Sequence, residues 1–125
     1  MTRNRLALLA ALASLVVGLL VALPAQAGQS ALPKLIGIDG PGFTISLKKG
    51  TTKVTKLKAG KYSLTVLDKS NIHNFNLISP SGKSVVKTSV STVATKTYTV
   101  NLTKGTWRFV CDPHKSFMKG SFTVS

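Results

Sequence analysis

Glutamate is absent from this 125-residue chain, and its acids number three: Asp39, Asp68 and Asp112. There is one cysteine, Cys111, and there are two histidines, His73 and His114. A single cysteine excludes an internal disulfide, and two imidazoles leave none spare for a second metal centre. After the first 27 residues no stretch carries an amphipathic helical period, so a helical fold is excluded as well. Nor does any helical or RNP motif accompany the basic residues, which makes nucleic acid an unsuitable partner. Little is left with which to do chemistry.

What chemistry there is falls at the end of the chain. Cys111, Asp112, Pro113, His114, Lys115, Ser116, Phe117 and Met118 put a thiol, an imidazole and a thioether within eight residues. Taken singly, a cysteine before a proline turn is ordinarily a small buried hydrophobe, and Met118 is ordinarily core. Taken together with His73 from elsewhere in the chain, they give two His, one Cys and a weak Met. That is the composition of a blue-copper electron-transfer site; an unpaired cysteine in an oxidising compartment needs either burial or a role, and metal ligation gives it both.

Residues 1–27 read as an export signal. Arg3 and Arg5 form a basic start, Leu6 to Leu23 is apolar, and Ala25-Gln26-Ala27 is a small-x-small cleavage site. Removal after Ala27 is expected, with a retained anchor as the alternative, since the 18-residue run is just long enough for a thin span. Residues 28–125 then form one domain of 98 residues, enough for a single core without staples. The location expected is periplasmic, extracellular or at the cell envelope.

That domain carries fifteen of the 17 basic residues against three acids, a net charge of +12. A field of this sign attracts anionic partners, whether acidic protein faces or anionic membrane and envelope surfaces. The alternative is a solvated surface that serves solubility.

The domain reads as all-β. Phe43, Ile45 and Leu47 alternate with polar residues, as do Tyr62, Leu64 and Val66, then Tyr98, Val100 and Leu102, then Phe122 and Val124. Such period-two runs broken by glycine turns predict a Greek-key sandwich or barrel. Residues 79–96 predict a turn, then an edge strand and a connection, or a short helical turn. An internal echo links Leu57-x-x-Gly60-x-Tyr62-x-Leu64-x-Val66 to Leu102-x-x-Gly105-x-Trp107-x-Phe109-x-Cys111. It predicts a repeated strand corner in which Cys111 takes the inward position of Val66. Strand parity puts Trp107, Phe109 and Cys111 on one face, and His73, Phe75 and Leu77 on another. If the two strands run oppositely, both ligands meet at one end of the sandwich.

The C-terminal loop and Ile72-His73-Asn74-Phe75 resemble the cupredoxin family, its small plastocyanin- and amicyanin-like members in particular, over residues 34–125. The resemblance implies one type 1 copper per chain, held by His73, Cys111, His114 and axial Met118, with the Ile72 carbonyl as a second axial contact. It implies an exported, monomeric carrier of single electrons between redox proteins. Three residues separate His114 from Met118, where plastocyanins usually have four and amicyanins two. Asn74 matches the family's asparagine that ties the two ligand loops together, but its partner position holds Asp112 in place of Ser or Thr. A charge there favours Cu(II), and so does Pro113, which has no N–H to give the thiolate. His114 is the implied electron port, in an apolar patch to which Pro113 and Phe117 are available, with Lys115 and Lys119 at its rim. Ordinary core packing is the alternative for Phe117. Two other classes compete: a copper protein for delivery or buffering, and an enzyme with Cys111 as nucleophile and His114 as base. The enzyme lacks an orienting acid on the cysteine's face.

Overall fold

A computed structural model describes residues 21–23, 25 and 28–125. Most of the expected export signal, with its cleavage site, lies outside the described residues. Ten strands are described: β1 Lys34–Asp39, β2 Ile45–Lys49, β3 Thr52–Lys53, β4 Lys56–Leu57, β5 Gly60–Asp68, β6 Asn76–Ile78, β7 Ser84–Lys87, β8 Ala94–Leu102, β9 Gly105–Val110 and β10 Lys119–Val124. They form two five-stranded sheets, in the orders β3-β2-β1-β5-β8 and β4-β10-β9-β6-β7. Among the described residues the one helical element is a 3-10 turn, Asp112–His114, and no helix is long and apolar enough to cross a membrane.

Alternation builds the core. Tyr62, Leu64 and Val66 face inward from β5, Val100 and Leu102 from β8, Trp107 and Phe109 from β9, and Phe122 and Val124 from β10, all buried. Phe75 stacks on Phe109 with ring centroids 5.8 Å apart, and Trp107 stacks on Phe122 at 6.4 Å. Every described strand and the whole described core cluster fall between Lys34 and Val124, so among the described residues the contacts that maintain the fold lie within 28–125.

The echoed segments are two copies of one corner. The Tyr62 hydroxyl donates to the Lys58 carbonyl at 2.8 Å, and Trp107 Nε1 donates to the Thr103 carbonyl at 2.8 Å. In each copy the acceptor lies four residues before the aromatic, directly after the apolar anchor. The glycine between them has φ of +146° at Gly60 and +132° at Gly105, values that favour glycine. Both β5 and β9 leave their corners at the same end of the sandwich and run to the other.

Two expectations change. Phe43 is not the first inward residue of a strand: β2 starts at Ile45, and Phe43 is 58 % exposed on the loop before it. His73 lies three residues before β6 rather than at its first position, because its segment is pinned by side chains instead of a ladder. Residues 79–96 hold a turn, the edge strand β7 and the start of β8, with no helical turn among them.

Candidate metal centre

β6 and β9 run antiparallel, with Asn76 opposite Val110. The residues just before β6 and just after β9 therefore meet at one end. His73 Nδ1 and His114 Nδ1 lie 3.1 Å apart, and Cys111 Sγ is 3.7 Å from the first and 3.6 Å from the second. His73 and Cys111 are fully buried, and His114 is half-buried. This trio is the group of metal-binding side chains that comes together among the described residues.

The triangle fits a metal ion. A point equidistant from the three donor atoms lies about 2.0 Å from each, the length of a metal–imidazole bond and a little under that of a metal–thiolate bond. His73 Nε2 is buried without a partner, so its Nδ1 edge is the one that the fold directs to a neighbour. Two imidazoles and a thiolate in one plane suit copper better than hard cations, which prefer oxygen.

Backbone bonds place the loop after Cys111, and side chains pin the segment that carries His73. Beyond Cys111 the Pro113-containing 3-10 turn folds His114 back, its N–H donating to the Cys111 carbonyl at 3.0 Å. Met118 closes the loop: its N–H donates to the His114 carbonyl at 2.8 Å, and its carbonyl accepts from the Cys111 N–H at 3.0 Å. The Met118 side chain is buried at this end of the core. On the other side, the Phe75 N–H donates to Thr88 Oγ1 at 2.8 Å and Thr88 Oγ1 donates to Asp68 at 3.0 Å. Gly40, at φ +67°, packs so closely that a Cβ there would stand 3.3 Å from the His73 ring and 2.9 Å from Ser70.

Asn74 and Asp112 tie the two ligand segments together. Asn74 Nδ2 donates to Asp112 Oδ2 at 2.8 Å, and the Asp112 N–H donates to Asn74 Oδ1 at 2.7 Å. Asn76 Nδ2 adds a bond to Asp112 Oδ1 at 2.9 Å, and Lys87 Nζ stands 3.0 Å from Oδ2. Burial by itself raises the Asp112 pKa, but the bonds from Asn74, Asn76 and Lys87 outweigh it and hold the carboxyl below its ordinary value. The aspartate charge beside Cys111 is thus paired with a lysine at the surface.

An aromatic cover lies over the imidazoles. The Phe43 ring meets His73 edge-on at 5.1 Å and His114 at 5.0 Å, and Phe117 packs 5.6 Å from His114. Phe117 is 60 % exposed, so it belongs to the surface and not to the core. Sequence reasoning missed Phe43, Asn76 and Lys87 as neighbours of this site. The Gly40-Pro41-Gly42 run marked a loop before Phe43. Parity also marked Asn76, which shares the Asn74 face of the segment.

Two further carboxyls lie buried at this end. Asp39 and Asp68 face one another in register across the parallel β1–β5 pair. Burial, then the charge and the carboxyl of Asp68, push Asp39 up to about 7.

The comparisons agree with this geometry. Residues 43–125 match the family described as copper binding proteins, plastocyanin/azurin family. A rusticyanin variant solved at 1.5 Å superposes with a TM-score of 0.55 at 20% identity, covering 74% of this chain and 76% of that one. Rusticyanin from Thiobacillus ferrooxidans, solved at 1.27 Å, gives 0.51 at 20% identity over the same shares, 74% and 76%. At that identity the likeness speaks for the fold. No curated protein matches by sequence. With the family model covering most of the domain, and His73, Cys111 and His114 converging beside a buried Met118, this chain belongs to the plastocyanin/azurin family of copper-binding cupredoxins and its donor set fits one type 1 copper.

Proposed function

We propose that this chain is an exported, monomeric carrier of single electrons, with His73, Cys111 and His114 as equatorial copper ligands and Met118 as the weak axial one. The observation that carries the proposal is the triangle of Nδ1, Sγ and Nδ1 atoms at 3.1 to 3.7 Å. Copper held there supplies one-electron chemistry between Cu(II) and Cu(I). The chain's own contribution is rigidity. The Asn74–Asp112 pair and the Met118 backbone bonds tie both ligand loops, which would limit how far the donors move when bound copper gains or loses an electron.

His114 is the donor that reaches the surface, where exposed Phe43, Phe117 and Pro113 surround it and Ile72 is also exposed. An apolar patch around a half-exposed ligand suits brief docking of a redox protein. Lys115 and Lys119, both exposed, favour an acidic partner rim. An enzymatic role for Cys111 with His114 finds no support, because the Asp112 carboxylate is committed to Asn74, Asn76 and Lys87 and orients no histidine. The family and the leader sequence favour export over a cytoplasmic role.

Copper delivery or buffering is the second reading, favoured by the single half-exposed ligand alone. Repeated chemical reduction and reoxidation in the presence of a Cu(I) chelator separates the two. An electron carrier keeps its copper and its colour through many cycles. Stoichiometric loss of copper to the chelator on the first reduction would assign the chain to delivery.

A further inference from the structure

The two ends of the sandwich differ in charge. All three acids of the chain, Asp39, Asp68 and Asp112, lie at the metal end, at the close of β1, at the close of β5 and just after β9. The opposite end gathers the start of β1, the end of β2, β3, β4, the start of β5 and the β8–β9 turn. There Lys49, Lys53, Lys56, Lys58, Lys61 and Lys104 are all exposed. The β2–β3 hairpin even sets Lys48 directly opposite Lys53. Like charges in that position destabilise a strand pair, and solubility does not require them to face each other. An anionic surface laid against this end would relieve the repulsion.

We propose that the lysine-rich end of the sandwich docks on anionic phospholipid headgroups, which leaves the copper end pointing away from the bilayer toward its redox partners. Charge complementarity and the path of the chain favour a bilayer as the occupant. The chain enters the domain at this same end, through Lys34. Ten residues separate Leu23, the last of the apolar run, from Lys34, a tether of at most about 35 Å. While the leader remains attached, it holds this end to the membrane. The inference rests on the export reading for where the bilayer is found, and on the copper reading only for what the outward end does.

The test uses copper-free residues 28–125 and two quadruple variants of equal charge. One is Lys49→Gln, Lys53→Gln, Lys56→Gln and Lys58→Gln, at the lysine-rich end. The other is Lys69→Gln, Lys96→Gln, Lys115→Gln and Lys119→Gln, in the metal-end half. Each is co-sedimented with phosphatidylglycerol/phosphatidylcholine vesicles, with pure phosphatidylcholine vesicles and with soluble polyphosphate, after circular dichroism has shown the same all-β spectrum. At about five-fold in affinity per surface lysine, the first variant should lose anionic-vesicle binding by more than about 100-fold, and the second by less than about ten-fold. Wild type should not bind neutral vesicles. Equal losses in the two variants would mean that net charge alone acts, and would overturn the proposal. Binding to polyphosphate without binding to anionic vesicles would overturn it in favour of a soluble polyanion. Because copper is absent throughout, neither result bears on the ligand assignment.

Discussion

The corner at Leu57–Val66 and the corner at Leu102–Cys111 are built alike, and one of them alone ends in chemistry. Both use an apolar anchor, a glycine of positive φ and an aromatic that donates to the carbonyl four residues back at 2.8 Å. Both then send a strand inward along the core. At equivalent inward positions, each fully buried, stand Val66 and Cys111. Beyond them the strands part. β5 continues to Asp68, while β9 stops and the chain turns through Asp112–His114. The corner therefore specifies the sandwich, and the metal site arises where one strand ends in a thiol and a short loop instead of more ladder.

The largest effect expected is at the end of the second corner. Cys111→Ser should abolish the thiolate-to-copper absorption altogether while circular dichroism still reports an all-β fold, because the hydroxyl is a poor substitute ligand. Loss of the fold with the colour would show that the thiol is core and that the two corners are equivalent.

Met118→Gln should keep a Cu–thiolate chromophore and lower the reduction potential, since a harder oxygen donor favours Cu(II). Voltammetry checks it. An unchanged spectrum and potential would make the buried methionine packing alone.

Tyr62→Phe removes one hydrogen bond from the corner that has no ligand. It should cost about 1 kcal/mol of stability, lowering Tm by roughly 4–8 °C, and leave the copper spectrum untouched. A shifted spectrum would mean that the first corner also shapes the site.

The last expectation is a pH dependence, and it concerns where β5 goes past Val66. Asp39, raised to about 7 by burial and by Asp68, holds a proton in the fold that the unfolded chain releases near its ordinary 3.8. Its contribution to stability is therefore full below about 3.8 and is lost as pH rises toward 7. Asp112 acts with the opposite sign, because its lowered pKa gives stability that is lost only as pH falls below the ordinary carboxylate range. Urea midpoints should fall as pH rises from about 4 to about 8, and Asp39→Asn should flatten that slope. A slope unchanged in the variant would assign it to other groups.

The same pair of corners shows how far the sequence is legible. The meeting of His73, Cys111 and His114, the repeated corner and the inward places of Val66 and Cys111 can all be read from it, because alternation and glycine spacing fix which face a strand residue takes. β1 cannot. Its inward residues are Leu35, Gly37 and Asp39, and neither of the last two reads as core. Gly37 is small because the Phe75 ring occupies the space a Cβ would need, and Asp39 is buried against another acid. Phe43 falls on the wrong side of a strand boundary, since period-two alternation cannot say where a strand begins. Lys87 is invisible as a partner of Asp112, because their meeting depends on the β6–β7 edge pairing across a register shift at Leu77/Ile78.

Titration of Cu(II) into copper-free residues 28–125, followed by visible absorption and EPR, reads the ligand assignment most directly. His73, Cys111, His114 and Met118 as ligands predict an intense blue charge-transfer band that rises linearly and stops at one copper per chain. A colourless complex, or binding that continues to two coppers per chain, would contradict it.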